Sequence, residues 1–252
     1  MAKEFEGLTA LVTGSSNGIG AEAAVKFAAG GAAAVLIQYH TAHEEAERVC
    51  ERVRAAGATA EAFGADFTSN KGIHAFLAKL GNRRIDILVN NAGSLIKRTP
   101  FLEFTPELWD QVVTLNFSSA FHVSQHVLPQ MIERGRGYIV NISSVAARNG
   151  GGIGAIAYAS SKGGLSTMTK GLAKEFAPKG VRVNGVSPGT IDTNFHKQFS
   201  TEQMLSNARG ATPAGRLGDS SETADVIVFL CSEAARFIHG QMIEVNGGFL
   251  MV

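Results

Sequence analysis

Short, largely apolar runs recur along the chain, and helical patterns fill the spaces between them. The runs lie at 8–13, 33–39, 59–64, 85–89, 138–142, 181–186 and 241–245. Runs this short and this apolar read as strands buried on both faces, the pattern of a parallel sheet covered by helices. The intervals carry the helical period instead. Between 42 and 56, Ala42, Ala46, Val49, Cys50 and Val53 share one face, Glu44, Glu45, Glu47, Arg48, Glu51 and Arg52 take the remainder, and Gly57 follows. Helical patterns also cover 18–29, 107–132 and 158–177. Strand and helix alternating from end to end predict a doubly wound parallel sheet, an α/β fold. No linker, repeat or low-complexity stretch divides the sequence, so 1–252 is expected to form a single domain.

Composition narrows the function classes. The 252 residues are 45% hydrophobic and carry a formal charge of +1, which argues against a nucleic-acid-binding surface. The two cysteines, Cys50 and Cys231, lie far apart without metal-ligand spacing. That usage suits a reducing compartment, and a cytoplasmic location is expected. The segment Met1-Ala2-Lys3-Glu4-Phe5-Glu6 lacks the apolar core of a secretory signal, and no later run reaches the roughly 18 apolar residues of a membrane span. His122 and His126 are four residues apart on a predicted helix, but Val123-Ser124-Gln125 between them lacks the glutamate of a zinc protease, and no metal is expected.

The turn Thr13-Gly14-Ser15-Ser16-Asn17-Gly18-Ile19-Gly20 joins the first strand to the first helix. Its glycines permit close backbone approach, and the helix start behind it offers unpaired N–H groups and a favourable dipole to a pyrophosphate. A purely structural turn has the same spacing, so this motif alone is weak. It is accompanied by Asn90-Asn91-Ala92-Gly93, Asn116, Ser143-Ser144, Tyr158-Ala159-Ser160-Ser161-Lys162 and Ser187-Pro188-Gly189. Together these segments resemble the short-chain dehydrogenase/reductase family from the first strand to the C-terminus, its 3-oxoacyl reductases among the most similar-looking members. The resemblance implies a Rossmann fold, a nicotinamide dinucleotide cofactor, and hydride exchange between that cofactor and a ketone or secondary alcohol.

Tyr158 and Lys162 stand one helical turn apart on one face. A lysine ammonium there would favour the phenolate and bring a phenol pKa of about 10 toward the working pH. Tyr158 is therefore the candidate acid in reduction and base in oxidation. The resemblance adds a hydrogen bond from Lys162 to the nicotinamide ribose, gives Ser144 the substrate oxygen, and has Asn116 support a water that relays protons to the lysine. Strand alternation lets only one of Ser143 and Ser144 face the cleft; the following loop is about one residue longer than the family habit, and Ser144 is preferred. The glycine- and alanine-rich stretch 146–157 is expected to form a pliable rim.

The resemblance also distributes the cofactor contacts. Gly14, Ser16, Asn17, Gly18, Ile19 and Gly20 surround the pyrophosphate, and Asp66 with the Phe67 backbone holds the adenine. Asn91, Ala92 and Gly93 line the adenosine ribose, while Pro188, Gly189, Ile191 and Thr193 hold the nicotinamide carboxamide. The choice between NAD and NADP turns on the end of the second strand, Gln38-Tyr39-His40-Thr41. No acid there repels a 2′-phosphate, and no Arg or Lys attracts one. Tyr39 and His40 are the contacts at this end, with Thr41, His43 and Ser16 as further phosphate partners; NADP is favoured and NAD is the alternative.

The segment 190–213, where the family keeps a substrate lid, contains Phe195, Phe199, Met204 and Leu205, which read as a lid or as ordinary helix packing. Ser94, Leu95 and Ile96 are expected at the pocket rim, suggesting a moderately apolar small-molecule substrate. A 3-oxoacyl thioester is the first expectation, with Arg134, Arg136 and Lys179 either a basic edge for an acyl carrier or scattered surface charge. A sugar, polyol or steroid-like alcohol is the alternative. A dinucleotide-binding sensor or scaffold without turnover is the reading of another kind, disfavoured by the intact Asn116, Ser144, Tyr158 and Lys162 set. A homotetramer is also implied, with the helices at 107–132 and 158–177 pairing across one interface and 241–252 entering the second.

Overall fold

The computed structural model describes residues 4–252. Its first half runs β1 (Thr9–Val12), α1 (Gly18–Ala29), β2 (Ala34–Tyr39), α2 (His43–Ala55), β3 (Thr59–Gly64) and α3 (Asn70–Leu80). β4 (Ile87–Asn90) opens the second half, followed by α4 (Pro106–Val113), α5 (Ser119–Glu133) and β5 (Gly137–Ile142). The chain then passes α6 (Ala146–Asn149) and α7 (Ile156–Phe176) to β6 (Val181–Pro188). Finally α8 (Asn194–Phe199), α9 (Glu202–Ala211) and α10 (Ser220–Cys231) lead to β7 (Met242–Val245).

Every strand pair is parallel, and the seven strands are ordered β3-β2-β1-β4-β5-β6-β7. Val12 of β1 pairs with Ile37 on one side and Val89 on the other. The winding reverses between β1 and β4, so the connections leaving their C-terminal ends diverge and open a crevice there. Side chains alternate across the sheet: Val12 joins Phe27, Val53 and Ile227 in one apolar cluster, while Leu11 joins Phe76, Val127 and Ala173 in the other. Burying a side chain such as Phe27 or Phe76 stabilises the fold by roughly 1.5–3 kcal/mol. The single-domain doubly wound α/β fold expected from the sequence is the one observed.

Two local features depart from expectation. The predicted helix over 107–132 is interrupted by a π-helical turn, Thr114–Ser118, between α4 and α5. This widened turn contains Asn116, only 1% exposed. The stretch 146–157 contains α6 and three left-handed glycines, Gly150, Gly151 and Gly154, so its glycine content serves defined turns. Among the described residues no helix is long and apolar enough to cross a membrane, and no cluster of metal-type ligands occurs.

Candidate active site

The crevice at the C-terminal strand ends is a cleft of about 660 Å³. The glycine turn forms one end. Gly14 and Gly18 hold φ values of 61° and 57°, and a Cβ on Gly14 would lie 2.7 Å from the Ala92 Cα. Asn91 fixes this close approach, donating from Nδ2 to the Thr13 and Gly14 carbonyls at 2.9 and 2.8 Å. α1 begins without a side-chain cap and without an acid in its first turn. Its N-terminal N–H groups are thus left for an anion, and the turn fits the diphosphate of a dinucleotide.

Beyond the glycine turn, Asp66 and Phe67 line the cleft beside His40, where the sequence reading expects the adenosine. Burial pushes the Asp66 carboxyl up, but hydrogen bonds from the Thr68 hydroxyl and N–H, with the nearby His40, outweigh it and hold the group below its ordinary range. Asp66 is therefore an ionised acceptor at neutral pH. His40 Nε2 stands 3.7 Å from its Oδ1. Two residues assigned to the cofactor lie elsewhere. The Tyr39 ring covers Gly64, where a Cβ would lie 3.0 Å from its hydroxyl, and that hydroxyl pairs with His43 Nδ1 at 2.9 Å. Gly20 sits behind the turn, where a Cβ would meet Asn91 Nδ2 at 2.5 Å, so its role is close packing of helix on strand. The sequence reading passed over Gln38, which lines the cleft, accepts from Gly14 N–H at 2.9 Å and donates to the Tyr39 and Ala65 carbonyls. A polar residue in an otherwise apolar strand was its signal.

Ser144, Tyr158 and Lys162 line the other half of the cleft. The two serines are distinguished by their partners: Ser143 Oγ donates to the Lys162 carbonyl at 2.9 Å and pairs with Ser166 at 2.8 Å, against α7. Ser144 lies beside the Tyr158 phenol instead. Lys162 is 2% exposed, and its Nζ donates to the Ile142 carbonyl at 2.8 Å and lies 5.6 Å from the Tyr158 ring centre. Burial alone pushes the Lys162 ammonium down to about 7. Burial also pushes the Tyr158 phenol up to about 12, with Ser144 pulling weakly the other way. The expected lowering of the phenol by its lysine is thus reversed among the protein's own groups, because desolvation disfavours both charged forms.

Asn116 does not line the cleft. Its Oδ1 accepts from Ser94 N–H at 3.1 Å, and its Nδ2 donates to the Ser94 and Val112 carbonyls at 2.8 Å each. A Cβ on Gly93 would lie 2.7 Å from Asn116 Oδ1 and 3.0 Å from Lys162 Nζ, so these two side chains close around one glycine. The side chain of Asn116 is thereby committed to positioning the loop after β4.

Ala92, Gly93, Pro188, Gly189, Ile191 and Thr193 line the middle of the cleft, as do Ser16, Asn17 and Ile19 nearer the turn. From α8, Phe195 reaches in, its ring 5.6 Å from Tyr158 and 5.1 Å from Phe199. Met204 and Leu205 on α9 do not line it. Ser94 and Leu95 stand at the rim as expected, whereas Ile96 does not line the cleft; Arg98, His196 and Phe249, which the sequence reading did not single out, join them.

Arg134, Arg136 and Lys179 immediately precede β5 and β6, at the end of the sheet opposite the cleft. Arg134 lies 3.4 Å from Asp86, Arg136 hydrogen-bonds the Tyr138 hydroxyl, and Lys179 covers Phe176. They form no basic edge beside the cleft. A parallel sheet separates its two ends, and a position just before a strand falls on the far one.

Known proteins resemble this chain in sequence and fold. The family model described as enoyl-(acyl carrier protein) reductase matches residues 14–250. The 3-oxoacyl-(acyl-carrier-protein) reductase of Aquifex aeolicus is 38% identical over 98% of this chain and 99% of its own. The 7alpha-hydroxysteroid dehydrogenase of Escherichia coli is 36% identical over 97% and 94%. The crystal structure of a putative NAD(P)-dependent gluconate 5-dehydrogenase from Beutenbergia cavernae, with bound NADP, superposes with a TM-score of 0.90 at 34% identity, covering 99% of each chain. With its sheet order, its glycine turn and these matches along nearly its whole length, the chain belongs to the short-chain dehydrogenase/reductase family of oxidoreductases.

Proposed function

We propose that this protein is an NADP-preferring reductase of ketones, reversible toward secondary alcohols, with Tyr158 as the group that exchanges the proton. The observation that carries this reading is the meeting of Ser144, Tyr158 and Lys162 in one wall of a cleft whose other end is an uncapped helix behind left-handed glycines. A bound nicotinamide supplies or takes the hydride. Ser144 holds the substrate oxygen, and Tyr158, neutral over the ordinary pH range, gives that oxygen its proton. Lys162 engages the Ile142 carbonyl with one N–H, and its remaining N–H groups would hold the nicotinamide ribose and serve the proton path. Asn116 and Gly93 set where the ammonium stands.

NADP is preferred because β2 ends without an acid in the cleft, leaving Ser16, Asn17 and His40 at the adenosine end. NAD is the alternative. Relatives whose names include 3-oxoacyl thioester, sugar-acid and steroid substrates leave the carbonyl compound open, but the basic residues considered for an acyl carrier lie at the wrong end of the sheet. Phe195 and His196 support α8 as part of a lid over this cleft. A homotetramer remains the expected assembly, supported by Trp109, Phe121 and Ile156, apolar and 40%, 45% and 41% exposed on α4, α5 and α7, and the cytoplasm remains its expected location.

The test is Tyr158→Phe, assayed on a ketone panel with NADPH and NADH. The expected loss in kcat is on the order of 10²–10⁴-fold. Near-normal turnover by this variant would remove the proposed mechanism.

A further inference from the structure

Building on the reductase reading, we propose that Arg98, with His196 beside it, forms an anion-binding subsite at the substrate end of the cleft, and that the natural carbonyl compound carries a carboxylate. Arg98 follows β4 in the loop that begins with Asn91-Ala92-Gly93. Its Nε donates to the Phe199 carbonyl at 3.1 Å and its Nη1 to the Ile153 carbonyl at 2.6 Å. These bonds lay the guanidinium between α8 and the turn around Gly152, and among the described residues Nη2 has no protein acceptor. Nor does Arg98 form an ion pair among them; the only carboxylate lining the cleft, Asp66, stands at the adenosine end. A half-buried guanidinium with two carbonyl acceptors and no ion-pair partner keeps Nη2 for a ligand, and a carboxylate is the partner its planar fork fits best.

Three further features belong to the same corner. His196 lines the cleft, its Nδ1 pairs with Ser200 Oγ at 2.9 Å, and its Nε2 has no protein partner among the described residues. Burial and the Arg98 charge hold the imidazole below its ordinary range, opposed by Asp192, so at neutral pH it offers a hydrogen bond without a second full charge. The rim glycines make room for the arginine: a Cβ on Gly154 would lie 2.7 Å from Arg98 Cγ. Ile96, two residues earlier, holds φ 59°, the one non-glycine residue among those described in the left-handed region. A β-branched residue is kept there only where its surroundings over-determine the loop, and the loop's outcome is the placement of Leu95 and Arg98 at the cleft.

The Tyr158 ring touches Phe195, Phe195 touches Phe199, and the Phe199 carbonyl holds Arg98. A ligand that met both Arg98 and Tyr158 would carry its acid group and its reacting carbonyl at separate ends.

The experiment compares kcat/KM with NADPH for 4-oxopentanoate and 5-oxohexanoate against their methyl esters, in the natural protein, Arg98→Gln and Arg98→Lys. The natural protein is expected to favour each acid over its ester at least tenfold. Arg98→Gln should bring that ratio close to one, and Arg98→Lys should restore part of it. An equal fall for acid and ester would overturn the proposal, leaving Arg98 a strap between α8 and the rim. A natural protein that reduces the ester, or uncharged ketones only, as well as the acid would overturn it too. Calorimetric titration of the NADP-loaded protein with 4-oxopentanoate separates the subsite from turnover. Binding weakened tenfold or more by Arg98→Gln, without reduction of any ketone, would keep the subsite and sink the reductase reading; absence of binding would sink the subsite.

Discussion

Replacing Lys162 with methionine is expected to make the protein more stable at neutral pH while removing its activity. Burial holds the ammonium at about 7 rather than 10.5. At about 1.4 kcal/mol for each pKa unit, keeping this lysine inside the fold at pH 7 costs about 4 kcal/mol relative to an exposed one. Methionine avoids that cost but leaves the Ile142 carbonyl, now 2.8 Å from Nζ, without its donor, a loss of about 1–3 kcal/mol. The variant should therefore gain about 1–3 kcal/mol at pH 7. Between about 7 and 10.5 the unfolded chain holds the lysine proton and the folded protein does not, so the natural protein becomes more stable as pH rises through this window. Near pH 10.5 the desolvation difference has gone, and the variant should be the less stable of the two by the lost hydrogen bond. Urea unfolding of both proteins at fixed protomer concentration, from pH 6.5 to 10.5, measures the difference directly. A difference that keeps one sign across the range, or is flat with pH, would refute the argument that an uncompensated ammonium is buried here.

Other consequences are open to simple assays. Gly93→Ala should lower kcat more than it lowers stability, because its Cβ would fall 2.7 Å from Asn116 Oδ1 and 3.0 Å from Lys162 Nζ; overpacking of this kind costs about 1–3 kcal/mol, read by unfolding beside turnover. His40→Asp should shift the NADPH-to-NADH ratio of kcat/KM at least about tenfold toward NADH, since a carboxylate at the end of β2 repels a 2′-phosphate; an unchanged ratio would place cofactor selection elsewhere. Alcohol oxidation should accelerate from pH 6 to pH 10, because it needs the Tyr158 phenolate and the phenol stands at about 12, and a profile already level at pH 7 would contradict that order.

The sheet was legible because buried parallel strands write themselves as apolar runs, and all seven runs recovered a strand of the observed sheet. What escaped was information carried by hydrogen bonds across the fold. Nothing local to Thr114–Ser118 announces a π-helical turn, since the flanking turns keep a helical apolar pattern and the widened turn matters only because it brings Asn116 against the Ser94 loop. Arg98 was hidden for a similar reason: its acceptors are the carbonyls of Phe199 and Ile153, far along the chain and supplied by backbone, which has no sequence signature. Gln38 was visible as a polar interruption in β2, and its buried amide joins the glycine turn to the end of β3. Arg134, Arg136 and Lys179 are the converse case, in which the sequence left a basic edge and scattered surface charge equally open. Strand direction decides that question, and all three precede strands whose opposite ends carry the cleft.

The ionisation of Tyr158 and Lys162 connects that architecture to chemistry. Spacing of one helical turn suggests a cation tuning a phenol, yet the same turn of α7 that brings the two residues to the cleft also removes Lys162 from water. A charge under that penalty is itself half lost near neutrality, and it cannot hold a neighbouring phenol down. The protein's own groups therefore hold Tyr158 toward the protonated form, the form a proton donor needs. Running the reaction as an oxidation requires positive charge from outside these residues, or a higher pH, before the phenol becomes a base. Burial thereby sets the ionisation of the pair as much as the identity of its members does, and an ammonium moved back into water should favour the Tyr158 phenolate only as far as the two groups stay within reach of each other.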